Sequence, residues 1–298
     1  MSMIHEHMRP PHETSWLNRR LILIMGKGGV GKTAVANVAA RHLASQGKRV
    51  FLAHIQELET PRGEGLVQRG PSLYEQTLET DTCFREYIRL KLKVKGLATL
   101  FLGSHLIQYL QKVSPGIREI VLLGKVWHER ENYDHVIVDM PSTGYALAMI
   151  NAPINFTRLF PGGPVHQDTL DMSRTLGDSV NTALVNVTLP EEMPLQESAD
   201  LADELKRLVP ENPSWLVVNR RLPPDGALKE AWAIHGAALE KKYPSNPLVR
   251  AAQFRSHRSQ NQEEALLKFP RGIFADCFII HDRGALPPSG LPTEVLAP

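Results

Sequence analysis

The stretch Leu21 to Thr33, LILIMGKGGVGKT, limits the fold more than any other part of the chain, because five apolar residues run directly into a glycine-rich loop closed by Lys-Thr. A short, unbroken apolar run stopped by glycine predicts a strand buried on both faces of a parallel sheet. After the loop the period changes. Ala34, Val35, Val38, Ala39, His42 and Leu43 recur at spacings of three and four, which predicts a helix, and Gly47 supplies the positive φ at which such a helix ends. Between strand and helix, Gly26, Lys27, Gly28, Gly29, Val30, Gly31, Lys32 and Thr33 fit the pattern G-x-x-x-x-G-K-[ST] in full. Backbone N–H groups that wrap a polyphosphate leave no room for Cβ atoms, so glycines line such a loop. The start of the following helix, at Ala34, adds a partial positive charge where the anion sits. Lys32 is then the ligand of the β- and γ-phosphates, and the Thr33 hydroxyl a ligand of Mg²⁺.

A second chemical landmark is YDHVIVDMPSTG, Tyr133 to Gly144. Val136 to Val138 predict a buried strand, and Asp139 falls at its C-terminal end, where open α/β sheets bind ligands. An Asp that ends a strand is a weak signal alone; preceded by a complete phosphate loop it becomes a strong one. The loop GKGGVGKT, with Lys27 as an extra lysine, resembles the deviant Walker A of the MinD/ParA and the arsenite-pump and tail-anchored-protein-targeting ATPases. Asp139 to Gly144 is similar to switch II of the latter group, with Asp139, Thr143 and Gly144 in register and Tyr145 where histidine is common.

That resemblance implies a P-loop NTPase that binds ATP or ADP with Mg²⁺ and works as a dimer, either a homodimer or a heterodimer with a paralogue. It implies that Lys27 crosses the interface to the partner's phosphates, that Asp139 holds Mg²⁺ through water, and that Asn219, ending the strand Trp215 to Val218, hydrogen-bonds the adenine edge. The sequence after Val218 reads NRRL and lacks the N-K-x-D pattern of guanine readers, which favours ATP over GTP. Switch I departs from the family. The second strand, Arg49 to His54, leads into IQELETPRGEG, and Gln56 stands where an Asp positions the attacking water. Glu57 is the candidate replacement and Glu59 another. Slow hydrolysis, a group supplied by a partner, or a merely solvated acidic loop are the alternatives.

The remaining elements predict an α/β fold, a doubly wound and mainly parallel sheet with a helical subdomain drawn from about 75–130 and 145–180. Ser72 to Arg85 reads as the start of a helical region, and Arg89 to Lys95 alternates basic and apolar residues as an extended ribbon does. Leu97 to Leu123 is strongly apolar and is divided by Pro115 and Gly116 into two helices. These either pack on the sheet or, as in the targeting branch of the family, form a groove for a hydrophobic client. The segment NAPINFTRLFPGGP reads as a break after a helix that ends near Ala148. Thr182 to Leu189 and Ile273 to Ile280 read as strands, and Ala227 to Lys242 as a helix. Residues 18–285 make up the ATPase domain, flanked by a mobile arm (1–17) and a proline-rich tail (286–298).

Composition excludes more than it assigns. Thirty-four basic and thirty-two acidic residues leave +2, which gives no reason to expect nucleic acid as a partner. Cys83 and Cys277 form no CxxC, so neither a zinc clasp nor a thiolate cluster for arsenite is expected. No apolar run reaches the length of a membrane span and the N-terminus has no hydrophobic signal core, so a cytoplasmic protein is expected. Two functions of different class fit these residues. One is a nucleotide switch that carries a hydrophobic client, and the other an energising or regulatory subunit that pairs with a transporter or an active paralogue.

Overall fold

The computed structural model describes residues 15–56, 65–91, 116–223 and 226–282. In these residues an eight-stranded sheet has the order β3-β4-β2-β5-β1-β6-β7-β8. Its strands are β1 Leu21–Met25, β2 Val50–Ile55, β3 Val67–Gln68, β4 Leu73–Leu78, β5 His135–Asp139, β6 Thr182–Thr188, β7 Trp215–Arg221 and β8 Cys277–His281. All pairings are parallel except that of β3 with β4. The helices are α1 Lys32–Ser45, α2 Thr80–Lys91, α3 Ile117–Glu129, α4 Thr143–Leu159, α5 Gly163–Gly177, α6 Glu192–Leu208, α7 Gly226–Lys242 and α8 Pro247–Lys268.

β1 is central because every one of its residues is apolar and can be buried whichever face it points to. Leu21, Leu23 and Met25 pack with Leu122 and Val126 of α3, Met149 and Ile150 of α4 and Leu205 of α6. Ile22 and Ile24 face the other way, toward Val35, Ala39 and Leu43 of α1 and toward Trp16. Period two on the strand thus builds both cores at once. Connections from β1 run to one side of the sheet, through α1 to β2. Those from β5 run to the other, through α4 and α5 to β6. The reversal places a crevice at the C-terminal ends of β1 and β5.

Several expectations need correction. Leu73–Leu78 is not helical; it is a strand in parallel register with β2 along its whole length, from Val50↔Leu73 to Ile55↔Leu78. It lies near the sheet edge, with only the two residues of β3 outside it, so Tyr74, Glu75, Gln76 and Thr77 are only half-buried and the apolar pattern is diluted. Arg89 to Lys91 belong to α2, not to a ribbon. The stripe Cys83, Phe84, Tyr87 and Ile88 has helical spacing, and Tyr87 Oη donates to Asp168 of α5 at 3.0 Å. Lys93 and Lys95 lie outside the described residues, as does the first apolar helix, Leu100 to Leu110. The second apolar helix packs on the sheet: Val121, Leu122, Leu123 and Val126 are buried there.

The helix after Gly144 does not end near Ala148; α4 continues through Pro153 to Leu159. Proline inside a helix costs about 3 kcal/mol. Burial of Met149, Ile150, Ala152, Pro153 and Phe156 on one side outweighs that cost, at about 1.5–3 kcal/mol for each large side chain. Trp16 and Leu17, assigned to a mobile arm, are buried in a 3-10 turn capped by Ser15, whose Oγ accepts from Leu17 N at 3.3 Å. Helix α8 has no counterpart in the sequence reading, because its apolar residues are few. Its start was nevertheless written in Asn246, whose side chain accepts from Leu248 N at 2.9 Å, followed by Pro247.

Candidate functional site

The glycine loop joins β1 to α1 at the crevice, and each glycine has its own reason to be there. Gly26 has φ +141°, and a Cβ on it would sit 2.2 Å from the Val187 carbonyl oxygen of β6. Gly31, at φ +97°, caps α1, and a Cβ there would meet Asn219 Nδ2 at 2.3 Å. Gly28 and Gly29 face open space. Two glycines therefore let the loop press against its own sheet, and two keep the opposite side clear for an anion. Val30 is buried, while Thr33 and Ala34 are exposed in the first turn of α1.

Lys32 folds back over the loop, its Nζ donating to the Lys27 carbonyl at 3.1 Å. Thr33 Oγ1 donates to Asp139 Oδ2 at 2.7 Å, across 106 residues of sequence. These are the loop hydroxyl and the carboxylate expected to share Mg²⁺. Both are hard oxygen donors at the mouth of one cradle, the chemistry that magnesium favours over softer ions. The residues present fit a magnesium nucleotide, with Thr33 and Asp139 to hold the metal and the loop amides and Lys32 to hold phosphates.

Lys27 points elsewhere, forming an ion pair with Glu197 of α6, with side chains 56 % and 34 % exposed. Asn219 sits on β7, 8 % exposed, and supports the loop from below: Nδ2 donates to the Val30 carbonyl at 2.9 Å, and Oδ1 accepts from Arg220 N at 2.9 Å. Arg220 follows at φ 57°, the one described non-glycine residue with positive φ. Glu57 and Glu59 lie outside the described residues. Gln56 is the last residue described before them, and its carbonyl accepts from Arg118 of α3 at 2.6 Å, while the Arg118 guanidinium lies 5.2 Å over the Tyr145 ring. Gln56 at the end of β2, α3 and the start of α4 are thereby tied together.

Two residues of the site were not anticipated. His54, in register with Asp139 across the β2–β5 pair, brings Nδ1 to 3.0 Å from Asp139 Oδ2. Its Nε2 lies 3.4 Å from Glu75 Oε1 on β4. Period two gave a signal for His54, since it shares a face with Leu52, but Glu75 was hidden once β4 had been read as helix. Among the described residues no cluster of three or more His, Cys, Asp or Glu has the geometry of a metal site, and Cys83 is buried while Cys277 is partly buried. Burial pushes the Cys83 thiol up to about 12. No helix among the described residues is long and apolar enough to cross a membrane.

Residues 19–161, which hold the loop, Asp139 and most of α4, match the family model described as anion-transporting ATPase. The chain is similar to ATPase BagA of Mycobacterium tuberculosis, 29 % identical over 232 residues, which are 68 % of this chain and 66 % of that protein. It is also similar to an arsenical pump-driving ATPase of Acidiphilium multivorum, 30 % identical over 280 residues, 85 % of this chain and 44 % of that one. A putative arsenical pump-driving ATPase 2 of Aquifex aeolicus is 24 % identical over 247 residues, 65 % of this chain and 82 % of that protein. The chain thus spans just under two thirds of its mycobacterial relative. With an unbroken phosphate loop, a strand-end carboxylate bonded to its threonine and a family match spanning both, residues 19–161 resemble the ATPase domain of the ArsA-type, anion-transporting family.

Proposed function

We propose that the chain binds and hydrolyses Mg·ATP as one half of a dimer, with nucleotide state read out by the helical layer over the sheet. The observation that carries this reading is the convergence of Thr33 Oγ1 and Asp139 Oδ2 to 2.7 Å at the head of a glycine cradle. Bound magnesium supplies charge neutralisation on the phosphates. The loop amides and Lys32 then orient the phosphates, and Lys32 exchanges the Lys27 carbonyl for a phosphate oxygen. Asn219 keeps the loop closed from beneath and has spare hydrogen-bonding capacity for an adenine edge, since its carboxamide can make more bonds than the two it makes here.

Lys27 acts in trans in this reading. It leaves Glu197 and neutralises charge developing on the phosphoryl group held by the partner. Only a difference in affinity between two states can drive a switch, so the dimer must hold ATP more tightly than ADP. The tie from Gln56 through Arg118 to Tyr145 supports coupling between the switches and α3. The described apolar residues of α3 are packed on the sheet, which favours a moving layer over an open client groove in that helix.

Calorimetry and ATPase assays on the wild-type chain, Lys32→Ala and Lys27→Ala test the reading. Lys32→Ala is expected to lower nucleotide affinity and turnover by at least about a hundredfold, while Lys27→Ala spares binding and loses ATP-dependent dimerisation. Turnover that survives Lys32→Ala would refute it. A second reading rests on Gln56 at the switch I position: the chain is a nucleotide-binding subunit with weak hydrolysis of its own that pairs with a transporter or an active paralogue. Tight Mg·ATP binding without turnover in the isolated chain would favour it.

A further inference from the structure

The carboxylate on the metal side of the site carries two hydrogen bonds on one oxygen. Thr33 Oγ1 donates to Asp139 Oδ2 at 2.7 Å, and His54 Nδ1 lies 3.0 Å from the same atom. A carboxylate only accepts, so the His54 proton is on Nδ1 and points at Asp139. Two donors on Oδ2 fill its lone pairs and leave Oδ1 for water on a metal. They also stop the carboxylate from turning about its Cβ–Cγ bond, which a single donor would not. Sheet geometry makes this contact possible, because His54 and Asp139 are register partners on neighbouring parallel strands.

A second carboxylate stands behind the ring. His54 Nε2 lies 3.4 Å from Glu75 Oε1, and Glu75 Oε2 accepts from Arg69 Nε at 3.1 Å. Glu75 reaches His54 because it is in register with Leu52, two residues before His54 and on the same face of β2. The His54 and Glu75 side chains are 15 % and 25 % exposed, and that of Arg69 is 48 % exposed. A line of polar side chains in contact therefore runs from Arg69 and Glu75 at the sheet edge through His54 to the metal-side carboxylate.

We propose that His54 is a positioning residue that fixes the metal-facing orientation of Asp139, with the Glu75–Arg69 pair packed behind the imidazole ring. The inference rests on the magnesium reading above and adds to it the group that prepares the carboxylate before the ion arrives. Groups that orient a metal ligand from behind are commonly worth 10- to 100-fold in metal affinity. The role is one of orientation and does not require His54 to change its protonation.

The test is calorimetric titration of ADP at stepped Mg²⁺ concentrations and in EDTA, on the wild type, His54→Ala, His54→Asn and Glu75→Ala, with melting temperatures measured alongside. His54→Ala is expected to need about tenfold more Mg²⁺ for half of the metal-linked gain in affinity, with binding in EDTA within about twofold of wild type. His54→Asn, whose Nδ2–H falls near the lost Nδ1–H, is expected to restore the titration to within about threefold. Glu75→Ala keeps the ring but removes the group packed behind it, and is expected to fall between, which keeps the test decisive should His54→Ala fail to fold. An unchanged Mg²⁺ requirement in His54→Ala, an equal loss in EDTA, or equal losses in the Ala and Asn variants would each overturn the proposal while leaving the magnesium reading intact. A wild-type chain that gains no ADP affinity from Mg²⁺ would overturn both.

Discussion

Alanine at Gly26 and alanine at Gly28 are the same chemical change two residues apart in one loop, and the structure gives them opposite consequences. At Gly26 the new Cβ would lie 2.2 Å from the Val187 carbonyl oxygen and 3.3 Å from its carbonyl carbon, with φ at +141°. The obstructing atoms are backbone in β6, which is hydrogen-bonded to β1 on one side and β7 on the other, so no side chain can swing away. Strain at such a φ alone is worth about 1–3 kcal/mol, and the displacement of β6 adds to it. Taking about 3 kcal/mol as a floor and an unfolding entropy of about 2.1 cal/mol/K per residue, the melting temperature should fall by about 5 °C or more. At Gly28 the Cβ meets nothing within 4 Å and φ is outside the left-handed region. The fold should tolerate that change within about 0.5 kcal/mol of either sign. On the proposed reading that open side receives phosphate, so the methyl group should lower nucleotide affinity. Differential scanning fluorimetry on the apo proteins, with calorimetry of Mg·ADP binding, reads the two effects separately. A Gly26→Ala protein that melts with wild type, or a Gly28→Ala protein that binds Mg·ADP with wild-type affinity, would refute the reasoning for that glycine.

Glu197→Gln frees Lys27 from its ion pair, and exposed pairs of this kind are worth about 0.2–1 kcal/mol. If that pairing opposes the trans role of Lys27, dimerisation with a non-hydrolysable ATP analogue should tighten by up to about fivefold in sedimentation velocity, and an unchanged or weaker dimer constant would disprove it. His135 tests proton linkage. Burial holds its pKa below the ordinary 6.5, against the raising effect of its bond to the Arg19 carbonyl. The unfolded chain therefore binds the proton first as pH falls, so this residue's contribution is fully present above about pH 7.5 and declines as pH drops through 6.5 toward the folded-state value. Urea denaturation of His135→Asn between pH 7.5 and 5.5 should show a shallower decline than wild type, by at most about 1.4 kcal/mol per pH unit, and equal slopes would count against the linkage.

The site was legible in sequence to the extent that its chemistry is local. Leu21 to Thr33 specify strand, loop and helix start within thirteen residues, and Asp139 ends an apolar strand in plain view. Residues that matter through sheet register were not legible. His54 and Glu75 become neighbours of the site only through the pairing of β2 with β5 and β4, and β4 is too polar to announce itself as a strand. The same limit explains α4. Its Pro153 is a sound local reason to end a helix, and only the packing of Met149 and Ile150 with core residues far away in sequence overrides it. Helix α8 shows the converse, since Asn246 and Pro247 marked its start while a thin apolar stripe failed to confirm its length.

The unbroken course of α4 makes it a single strut. Its first turn begins four residues after Asp139, and its last lies about 25 Å farther on at Leu159, given a rise of about 1.5 Å per residue. A hinge at Ala148 would absorb a rearrangement near the phosphates within two turns. A continuous helix instead carries the same rotation to its own far end, where Leu159 and Phe160 stand uncovered.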